Sequence, residues 1–369
     1  MVRRKIAPPE INRHLKALQP YPPGKPIEEV QREYGLGSVI KLASNENPLG
    51  PSPRALRAMA KVADTMHQYP EGGGFYLKQG LARELGVKPE EIILGNGSDE
   101  LIMFLGMAYL NRRRALITSN YAFVRYRMAA DLVGARTDLV PMREMRHDLA
   151  GIAERIDERT GLIALDVPGN PTGTLVGRRA LADFLDRVPP EIPVMLDQAY
   201  FEFAEDDRQF PNGLKLRRRH PNLIVLRTFS KAHGLAGLRI GYAVARPEIV
   251  QGVERIRPPF NVNRMAQAAA LAALSDRAHL RRTMRINQRG LRTLAEGFER
   301  LGLNVWPSWT NFLLVQVPRD GREIFEALLR EGVVTRPMAG YGLTACLRVS
   351  VGTPRENRRC LAAMKRVLK

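Results

Sequence analysis

The sequence has few cysteines and no long hydrophobic run. Cys346 and Cys360, its only cysteines, lie near the C-terminus without a metal-ligand partner in the neighbouring sequence. This scarcity excludes a cysteine-rich zinc site and a disulfide framework, and it favours a reducing, cytoplasmic location. The longest apolar stretch, Leu101–Leu110, has about ten residues, half of the roughly 20 that a membrane-spanning helix needs. We therefore expect a soluble protein.

No targeting signal is evident at the N-terminus. Arg3, Arg4 and Lys5 make this end basic, but Pro8 and Pro9 follow where a signal peptide requires an apolar core. None of the six histidines has the spacing of a metal motif such as H-E-x-x-H. We therefore predict neither an N-terminal address nor a metal site.

Acidic residues are scarce relative to basic ones. The chain has 57 lysines and arginines against 38 aspartates and glutamates, which gives a formal net charge of +19. Such an excess is typical of nucleic-acid-binding proteins, because clustered cations release phosphate counterions. Here the basic residues are scattered in short groups, without an aromatic-interleaved stripe or a zinc finger. A basic solvated surface that attracts small anions is the preferred interpretation.

The length predicts about two domains, and the composition excludes a disordered or fibrous chain. The chain has 369 residues, of which 44% are hydrophobic and 26% charged. We expect an irregular, proline-rich arm or lid over residues 1–40. A large α/β domain is predicted over residues 41–257 and a smaller α+β domain over residues 258–369.

Short apolar runs alternate with helical patterns through the predicted large domain, which favours a mostly parallel sheet with helices on both faces. Strands are predicted at Ile92–Leu94, Ala115–Thr118, Leu162–Val167, Val194–Leu196, Leu223–Leu226 and Ile240–Val244. Helices are predicted from Pro53, capped by Ser52, and at Gly74–Leu85, Leu101–Leu110, Val124–Leu132, Leu149–Asp157 and Leu181–Arg187. Beyond Pro258 we predict helices at Val262–Leu274, Ala278–Arg300, Arg322–Arg330 and from Pro354, with strands near Asn311–Val317 and Leu347–Val351.

A lysine directly after a buried strand is the strongest chemical signal. Lys231 follows the predicted strand Leu223–Leu226, at the carboxyl edge of the sheet where ligands of open α/β folds bind. Thr228, Ser230 and Arg239 supply hydroxyls and a fixed cation suited to a phosphate dianion. A lysine shielded from water near other cations loses its proton more easily and can then form an imine. A solvated surface lysine is the alternative for Lys231 taken alone.

The segment around this lysine resembles the pyridoxal-phosphate lysine motif of fold-type I aminotransferases. The resemblance extends over nearly the whole chain to the histidinol-phosphate aminotransferase family. It is carried by Thr228-Phe229-Ser230-Lys231, Gly234-Leu235-Ala236-Gly237-Leu238-Arg239-Ile240-Gly241, Lys41-Leu42-Ala43-Ser44-Asn45-Glu46-Asn47-Pro48, Tyr69-Pro70-Glu71-Gly72-Gly73, Gly95-Asn96-Gly97-Ser98-Asp99-Glu100, Asn170-Pro171-Thr172-Gly173 and Asp197-Gln198-Ala199-Tyr200.

The resemblance implies a cofactor role for each of these motifs. Lys231 would hold pyridoxal phosphate (PLP) as an imine, and Asp197, at the end of an apolar run, would keep the pyridine nitrogen protonated. Asn170 and Tyr200 would bond the cofactor's phenolic oxygen. Outside this context Asp197 is also a turn cap, and Asn170 is also ordinary turn chemistry.

Further residues are assigned to the cofactor by the same resemblance. Ser98 and Asp99 would donate backbone N–H groups to the phosphate at the start of a helix, which is also an ordinary helix cap. Phe123 would stack on the pyridine ring, with a core aromatic as the alternative. Tyr69 would reach the phosphate from a neighbouring subunit, which implies a homodimer with shared sites.

Two arginines and a tyrosine are assigned to the substrate. Arg348 lies in the apolar stretch Leu347–Gly352, where a buried cation needs a partner or ligand. It matches the family arginine that binds the substrate's anionic group, and Arg336 matches a second such arginine. Tyr21 matches a tyrosine of a lid over the substrate.

The sequence departs from the family pattern at several positions. Gln198 stands where glutamate is usual, His233 where an aromatic is usual, and Gly169 where asparagine is frequent. The stretch Asn111–Ala115 lacks the usual Pro-Gly-Asp turn. None of these departures removes a residue expected to touch the cofactor.

The sequence therefore predicts a PLP-dependent aminotransferase of fold type I. The expected reaction is transfer from L-histidinol phosphate to 2-oxoglutarate in histidine biosynthesis. An aromatic amino acid aminotransferase is one alternative, and a phosphothreonine-type decarboxylase with the same motifs is another. A nucleic-acid-binding protein that kept the fold is the remote one.

Overall fold

A computed structural model describes residues 9–16, 18 and 24–369. Its helices are α1 (Ile27–Tyr34), α2 (Pro53–Val62), α3 (Phe75–Leu85), α4 (Ser98–Tyr109), α5 (Arg125–Leu132), α6 (Leu149–Ala153), α7 (Arg178–Leu185), α8 (Phe201–Ala204), α9 (Gly213–Leu216), α10 (Pro247–Glu254), α11 (Arg264–Leu274), α12 (Arg277–Arg300), α13 (Gly321–Arg330) and α14 (Pro354–Val367). Its strands are β1 (Ile40–Lys41), β2 (Ile92–Gly95), β3 (Ala115–Ser119), β4 (Thr137–Val140), β5 (Thr160–Asp166), β6 (Val194–Asp197), β7 (Leu223–Thr228), β8 (Gly241–Val244), β9 (Asn304–Val305), β10 (Phe312–Gln316), β11 (Val333–Val334), β12 (Arg336–Pro337) and β13 (Cys346–Ser350).

A seven-stranded sheet forms the centre of the fold, in the order β2-β8-β7-β6-β5-β3-β4. Strands β4, β3, β5, β6 and β7 are parallel, and all of them except the edge strand β4 are buried along their whole length. Helices α4, α5 and α10 pack on one face of the sheet, and α6 and α7 pack on the other. The predicted α/β architecture with a mostly parallel sheet is confirmed.

One strand of this sheet runs against its neighbours. Strand β8 pairs antiparallel with both β7 and β2. The connection from Thr228 to Gly241 holds only a single turn of 3-10 helix, Ala236–Leu238, and no crossover helix. A parallel return needs a longer crossover, usually through a helix. The chain therefore turns back directly, and Lys231 lies on this turn.

The C-terminal part of the chain forms a second layer with its own core. Strands β12, β13, β10 and β9 form an antiparallel sheet covered by α12, α13 and α14. Strand β1 pairs parallel with β11, so the chain just before the central sheet packs with this C-terminal part. None of the helices in the described chain has the length and apolar character that a membrane crossing needs.

Local sequence signals account for many of the helix boundaries. The Ser52 hydroxyl accepts from the Ala55 N–H at 3.1 Å, with Pro53 as the first residue of α2. Helix α3 stops at Gly86, whose φ of 64° is the left-handed conformation that glycine tolerates. These two predicted boundaries are confirmed.

Several elements differ from the predictions. Residues 27–34 form helix α1 rather than irregular chain, and β4, α10 and the short elements β1, β9, β11, β12, α8 and α9 were not predicted. Strand β4 lies at the edge of the sheet, and three of its four residues are only partly buried. Its sequence therefore lacks the continuous apolar run that identifies the buried strands.

The predicted division at residues 40 and 257 stays a prediction. Helix α11, beyond the second boundary, packs closely on α2 and α3, through the small residues Ala266, Ala269 and Ala270. Helix α1, before the first boundary, packs against α13. Both ends of the predicted large domain are therefore in contact with chain from outside it.

Candidate active site

A cavity of about 410 Å³ lies at the carboxyl edge of the central sheet. The residues assigned to cofactor or substrate that line it are Ser98, Asp99, Phe123, Asn170, Asp197, Tyr200, Thr228, Ser230, Lys231, Arg239, Arg336 and Arg348. Strands β5, β6 and β7 end here, because the carboxyl ends of parallel strands meet at one edge. The fold thus brings together residues from positions 98 to 348 of the chain.

Lys231 is partly buried and lies among other cations. Its Nζ lies 3.4 Å from the Ser44 carbonyl oxygen and 5.8 Å from the centre of the Tyr200 ring. Burial, together with the positive charges of Arg348 and Arg239, lowers the pKa of Lys231 to about 8. A much larger share of its amine is therefore unprotonated near neutral pH than in a solvated lysine, which is what a nucleophilic amine requires.

Asp197 ends β6 with its carboxylate held from two sides. The Tyr126 hydroxyl donates to Oδ2 at 3.0 Å, and the Ala199 N–H donates to Oδ1 at 2.9 Å. Burial, and then the neighbouring carboxylate of Asp166, raise the pKa of Asp197 to about 7. These forces favour a protonated acid, so a positively charged ligand would be needed to keep the carboxylate ionised.

Tyr200 and Asn170 line the same cavity and are hydrogen-bonded to distant parts of the chain. The Asn45 side-chain amide donates to the Tyr200 hydroxyl at 2.8 Å. The Asn170 side-chain oxygen accepts from Arg348 Nη1 at 2.5 Å. Burial raises the pKa of Tyr200 above its ordinary value, so its hydroxyl stays protonated and available as a donor.

One end of the cavity is built to hold an anion. Helix α4 begins at Ser98 after Gly97, so its first N–H groups point outward with the positive end of the helix dipole. The Arg239 guanidinium lies beside Gly97, where a Cβ would approach Arg239 Nη2 to 2.6 Å. Arg239 Nη1 also donates to the Ser230 hydroxyl at 3.4 Å.

A second glycine allows this end of the cavity to be compact. A Cβ on Gly241 would lie 2.4 Å from the Ser98 nitrogen, so only glycine lets β8 approach the start of α4. Thr228, at the end of β7, is buried, and its hydroxyl accepts from the Ser230 N–H at 3.1 Å. Hydroxyls, N–H groups and a guanidinium together offer the donors that a phosphate group accepts from.

Two arginines face the cavity from the C-terminal sheet. Arg336 on β12 and Arg348 on β13 are register partners. Arg348 is buried, and its Nη2 donates to the Ala43 carbonyl at 2.8 Å. Its Nε has no hydrogen-bond partner among the described residues. A buried unsatisfied donor is costly, so an anionic ligand that accepts from it would relieve that cost.

Tyr69 lies outside this cavity, and Tyr21 lies outside the described residues. The Tyr69 side chain is 78% exposed and stacks on Phe260 with ring centres 4.7 Å apart. Tyr69 therefore does not line the cavity of its own subunit, and its contact with the phosphate of a neighbouring subunit stays a prediction.

Sequence reasoning missed several residues of the site. Tyr126, Asn45 and Asp166 line the cavity without having been assigned a role. Asn45 lies within a motif noted above, so its position was available as a signal. Tyr126 and Asp166 carry no local signal, because their contacts with Asp197 depend on which strands become neighbours.

Two departures from the family pattern have a structural account. The Gln198 amide donates to the Pro211 carbonyl at 2.7 Å and accepts from the Gly213 N–H at 3.1 Å. An ionised glutamate could not donate, so glutamine fits this buried position. His233 packs against Phe229, with ring centres 4.9 Å apart and the rings tilted by 44°, and lies 3.5 Å from the Glu202 carboxylate. His233 does not line the cavity at the carboxyl edge of the central sheet.

Known proteins similar to this chain agree with the geometry of the cavity. Residues 37–364 match the family described as aminotransferase class I and II. The chain is 49% identical to histidinol-phosphate aminotransferase of Anaeromyxobacter sp. (strain Fw109-5), over 98% of this chain and 99% of that protein. It is 46% identical to histidinol-phosphate aminotransferase of Moorella thermoacetica, over 98% of this chain and 93% of that protein.

A solved structure is similar over nearly the whole fold. The crystal structure of histidinol-phosphate aminotransferase from Sinorhizobium meliloti in complex with pyridoxal-5'-phosphate matches with a TM-score of 0.89. The match covers 98% of each chain at 29% sequence identity.

Proposed function

This chain belongs to the aminotransferase class I and II family, and on that premise we propose that it transfers the amino group of L-histidinol phosphate to 2-oxoglutarate. It is a PLP-dependent aminotransferase. One observation carries the choice of substrate: Arg336 and Arg348, register partners, line the same cavity as Lys231. Two guanidiniums suit a phosphate dianion, and each can bind an anion in a forked manner.

The residues around the cavity fit pyridoxal phosphate. The cradle of Ser98, Thr228, Ser230 and Arg239 would hold the phosphate, and Lys231 would hold the cofactor covalently. When bound, the cofactor supplies an electron sink that makes a proton on the neighbouring substrate carbon acidic.

The chain's own residues then have separate tasks at the ring. Asp197 would hold the proton on the ring nitrogen, with its carboxylate oriented by Tyr126 and Ala199. Tyr200 and Asn170 would hydrogen-bond the phenolic oxygen, and Phe123 would lie against the ring. Asp99 would contribute its backbone N–H, since its side chain is paired with Arg125, with Nη2 and Oδ2 3.0 Å apart.

Lys231 would also move the proton during the reaction. Its amine, once freed by the incoming substrate, would take the proton from the substrate's α-carbon and return it to the cofactor's C4′. The lowered pKa of Lys231, about 8, suits this exchange, because a group titrating near the working pH can both accept and donate.

The substrate assignment predicts different effects of the two arginines. Arg336→Gln should lower kcat/KM for histidinol phosphate more than for phenylalanine, because a phosphate needs both cations. Arg348→Gln should lower kcat/KM for both donors. Each charge-assisted bond is worth about 1.5–3 kcal/mol, so we expect losses of about 10- to 150-fold. A panel of amino donors with 2-oxoglutarate measures these values.

The same panel separates the alternatives. A higher efficiency of the unsubstituted enzyme with phenylalanine or tyrosine than with histidinol phosphate would make it an aromatic aminotransferase. Release of CO2 without a keto product would make it a decarboxylase. Either result contradicts the proposed substrate while leaving the PLP site in place.

We further propose a homodimer in which Tyr69 reaches the phosphate of the partner's site. Tyr69, Phe75, Tyr76 and Phe260 are exposed in the single chain, by 78%, 57%, 71% and 43%. Clustered exposed aromatic side chains of this kind mark an interface.

Histidine biosynthesis as the pathway follows from the proposed substrate, and a cytoplasmic location stays a prediction.

Subunit mixing tests the shared site. Tyr69→Phe should weaken PLP binding about 10- to 150-fold by removing one bond to the phosphate. A hybrid of Lys231→Ala and Tyr69→Phe subunits has one site with both changes and one with neither. It should recover about half the activity of an unsubstituted dimer, because one of its two sites is intact.

Tyr76 provides the matched control for this experiment. It is similarly exposed, at 71%, but it is assigned no contact with the phosphate. Tyr76→Phe homodimers should therefore bind PLP normally. The mixing is done at a PLP concentration too low to load Tyr69→Phe homodimers. Properly exchanged hybrids that stay inactive under this condition would show that Tyr69 does not serve the neighbouring site.

A further inference from the structure

A second carboxylate lies beside Asp197 at the end of the cavity. Asp166 ends β5 as Asp197 ends β6, and the two are register partners on neighbouring parallel strands. Register partners project from the same side of the sheet, on strands about 5 Å apart. Both side chains line the cavity, and both residues are buried, with 4% and 5% of their surface exposed.

Asp166 is held in place from two directions. Its Oδ2 accepts from the Asn170 N–H at 2.7 Å. On the other side, His147 Nε2 lies 3.0 Å from the Asp166 carbonyl oxygen and 3.2 Å from its Oδ1. His147 is itself fixed by the Ser119 hydroxyl, 2.7 Å from Nδ1. The carboxylate therefore has one defined position.

The two oxygens of the Asp166 carboxylate are not equally satisfied. Its Oδ1 has no well-aligned hydrogen bond within the described part of the chain. The negative charge of Asp166 acts on Asp197, whose pKa burial and this charge together raise. Two buried carboxylates at one end of a cavity favour a ligand that brings positive charge to that end.

We propose that Asp166 is a positioning residue that adds a second negative charge behind Asp197 and so strengthens the hold on the protonated ring nitrogen of the cofactor. The inference rests on the proposed function, in which Asp197 is the partner of that nitrogen. Asp166 also accepts the Asn170 N–H, so the same side chain holds the backbone of a residue assigned to the cofactor's phenolic oxygen.

Comparing two cofactors isolates this effect. Pyridoxal phosphate and its 1-deaza analogue, in which carbon replaces the ring nitrogen, are each bound to the apoenzyme and their Kd values measured. The unsubstituted protein should prefer pyridoxal phosphate. Asp166→Asn keeps an oxygen that accepts from the Asn170 N–H but removes the charge. It should reduce this preference about tenfold, which corresponds to one pKa unit.

The control is a carboxylate at the opposite end of the same strand. Glu158 precedes β5 and its side chain is 83% exposed. Glu158→Gln should leave both Kd values unchanged. Asp166→Ser, which also keeps an acceptor, replaces Asp166→Asn if the amide variant does not fold.

The outcomes distinguish a failure of the role proposed for Asp197 from a failure of the role proposed for Asp166. Asp197→Asn should reduce the preference more than Asp166→Asn, and if it does not change the preference, the proposed role of Asp197 fails. A reduced preference in Asp197→Asn together with an unchanged one in the Asp166 variants contradicts only the role of Asp166. Equal weakening of both cofactors by an Asp166 variant marks a purely structural contribution and also overturns the inference.

Discussion

Lys231→Ala should abolish transamination, with kcat lowered at least about 10⁴-fold. Two functions are lost together: the covalent hold on the cofactor and the amine that moves the proton. The surrounding fold should remain, because the side chain makes only one hydrogen bond in the described structure, a 3.4 Å contact with the Ser44 carbonyl. Steady-state kinetics with histidinol phosphate and 2-oxoglutarate, with circular dichroism to verify folding, checks the prediction.

Lys41 is the matched control for the covalent link. It also lines the cavity, but its ammonium is paired with the Glu46 carboxylate at 2.9 Å. Borohydride treatment of the holoenzyme followed by peptide mass spectrometry should find the cofactor mass on Lys231 in both the unsubstituted protein and Lys41→Ala. The mass should be missing in Lys231→Ala. Labelling of any other lysine in the unsubstituted protein would refute the assignment.

Asp197→Asn should retain PLP but lower kcat about 150- to 5,000-fold. These values correspond to the roughly 3–5 kcal/mol that breaking a buried ion pair costs. A neutral amide cannot hold the positive charge on the ring nitrogen, so the cofactor becomes a weaker electron sink. The cofactor's visible absorbance reports retention, and single-turnover rates of the first half-reaction report the chemistry.

Tyr126→Phe provides a graded comparison at the same acid. It removes only the 3.0 Å hydrogen bond to Asp197 Oδ2, worth about 0.5–1.5 kcal/mol, so we expect a loss of about two- to tenfold. That bond stabilises the ionised form, so its loss raises the pKa of Asp197 further and the deficit should grow as the pH falls. A near-normal rate in Asp197→Asn would show that another group serves the ring nitrogen.

Local patterns in the sequence determined which strands carry the site and which residues lie at their carboxyl ends. Apolar runs identified β5, β6 and β7, and their carboxyl ends necessarily meet at one edge because the strands are parallel. The sequence alone therefore places Lys231 and Asp197 at that edge. The types of these residues predict the ligand, since a lysine among hydroxyls and an arginine is suited to a phosphorylated carbonyl compound.

The tertiary structure alone decided the contacts that orient and tune these groups. Tyr200 is oriented by Asn45, 155 positions away, and Asn170 by Arg348, 178 positions away. Such pairs depend on strand order, register and the approach of the C-terminal sheet, none of which is encoded in a local pattern.

The same division explains the two clearest surprises of the fold. Strand β8 is antiparallel because its connection from β7 is too short for a crossover, although its composition resembles that of its parallel neighbours. Asp166 reads as an ordinary strand end in the sequence, yet the register places it beside Asp197. Local sequence determines which segments form strands and which side chains lie at their ends. The free energy of packing those segments against one another determines which of these side chains meet, and so the charge around the ring nitrogen.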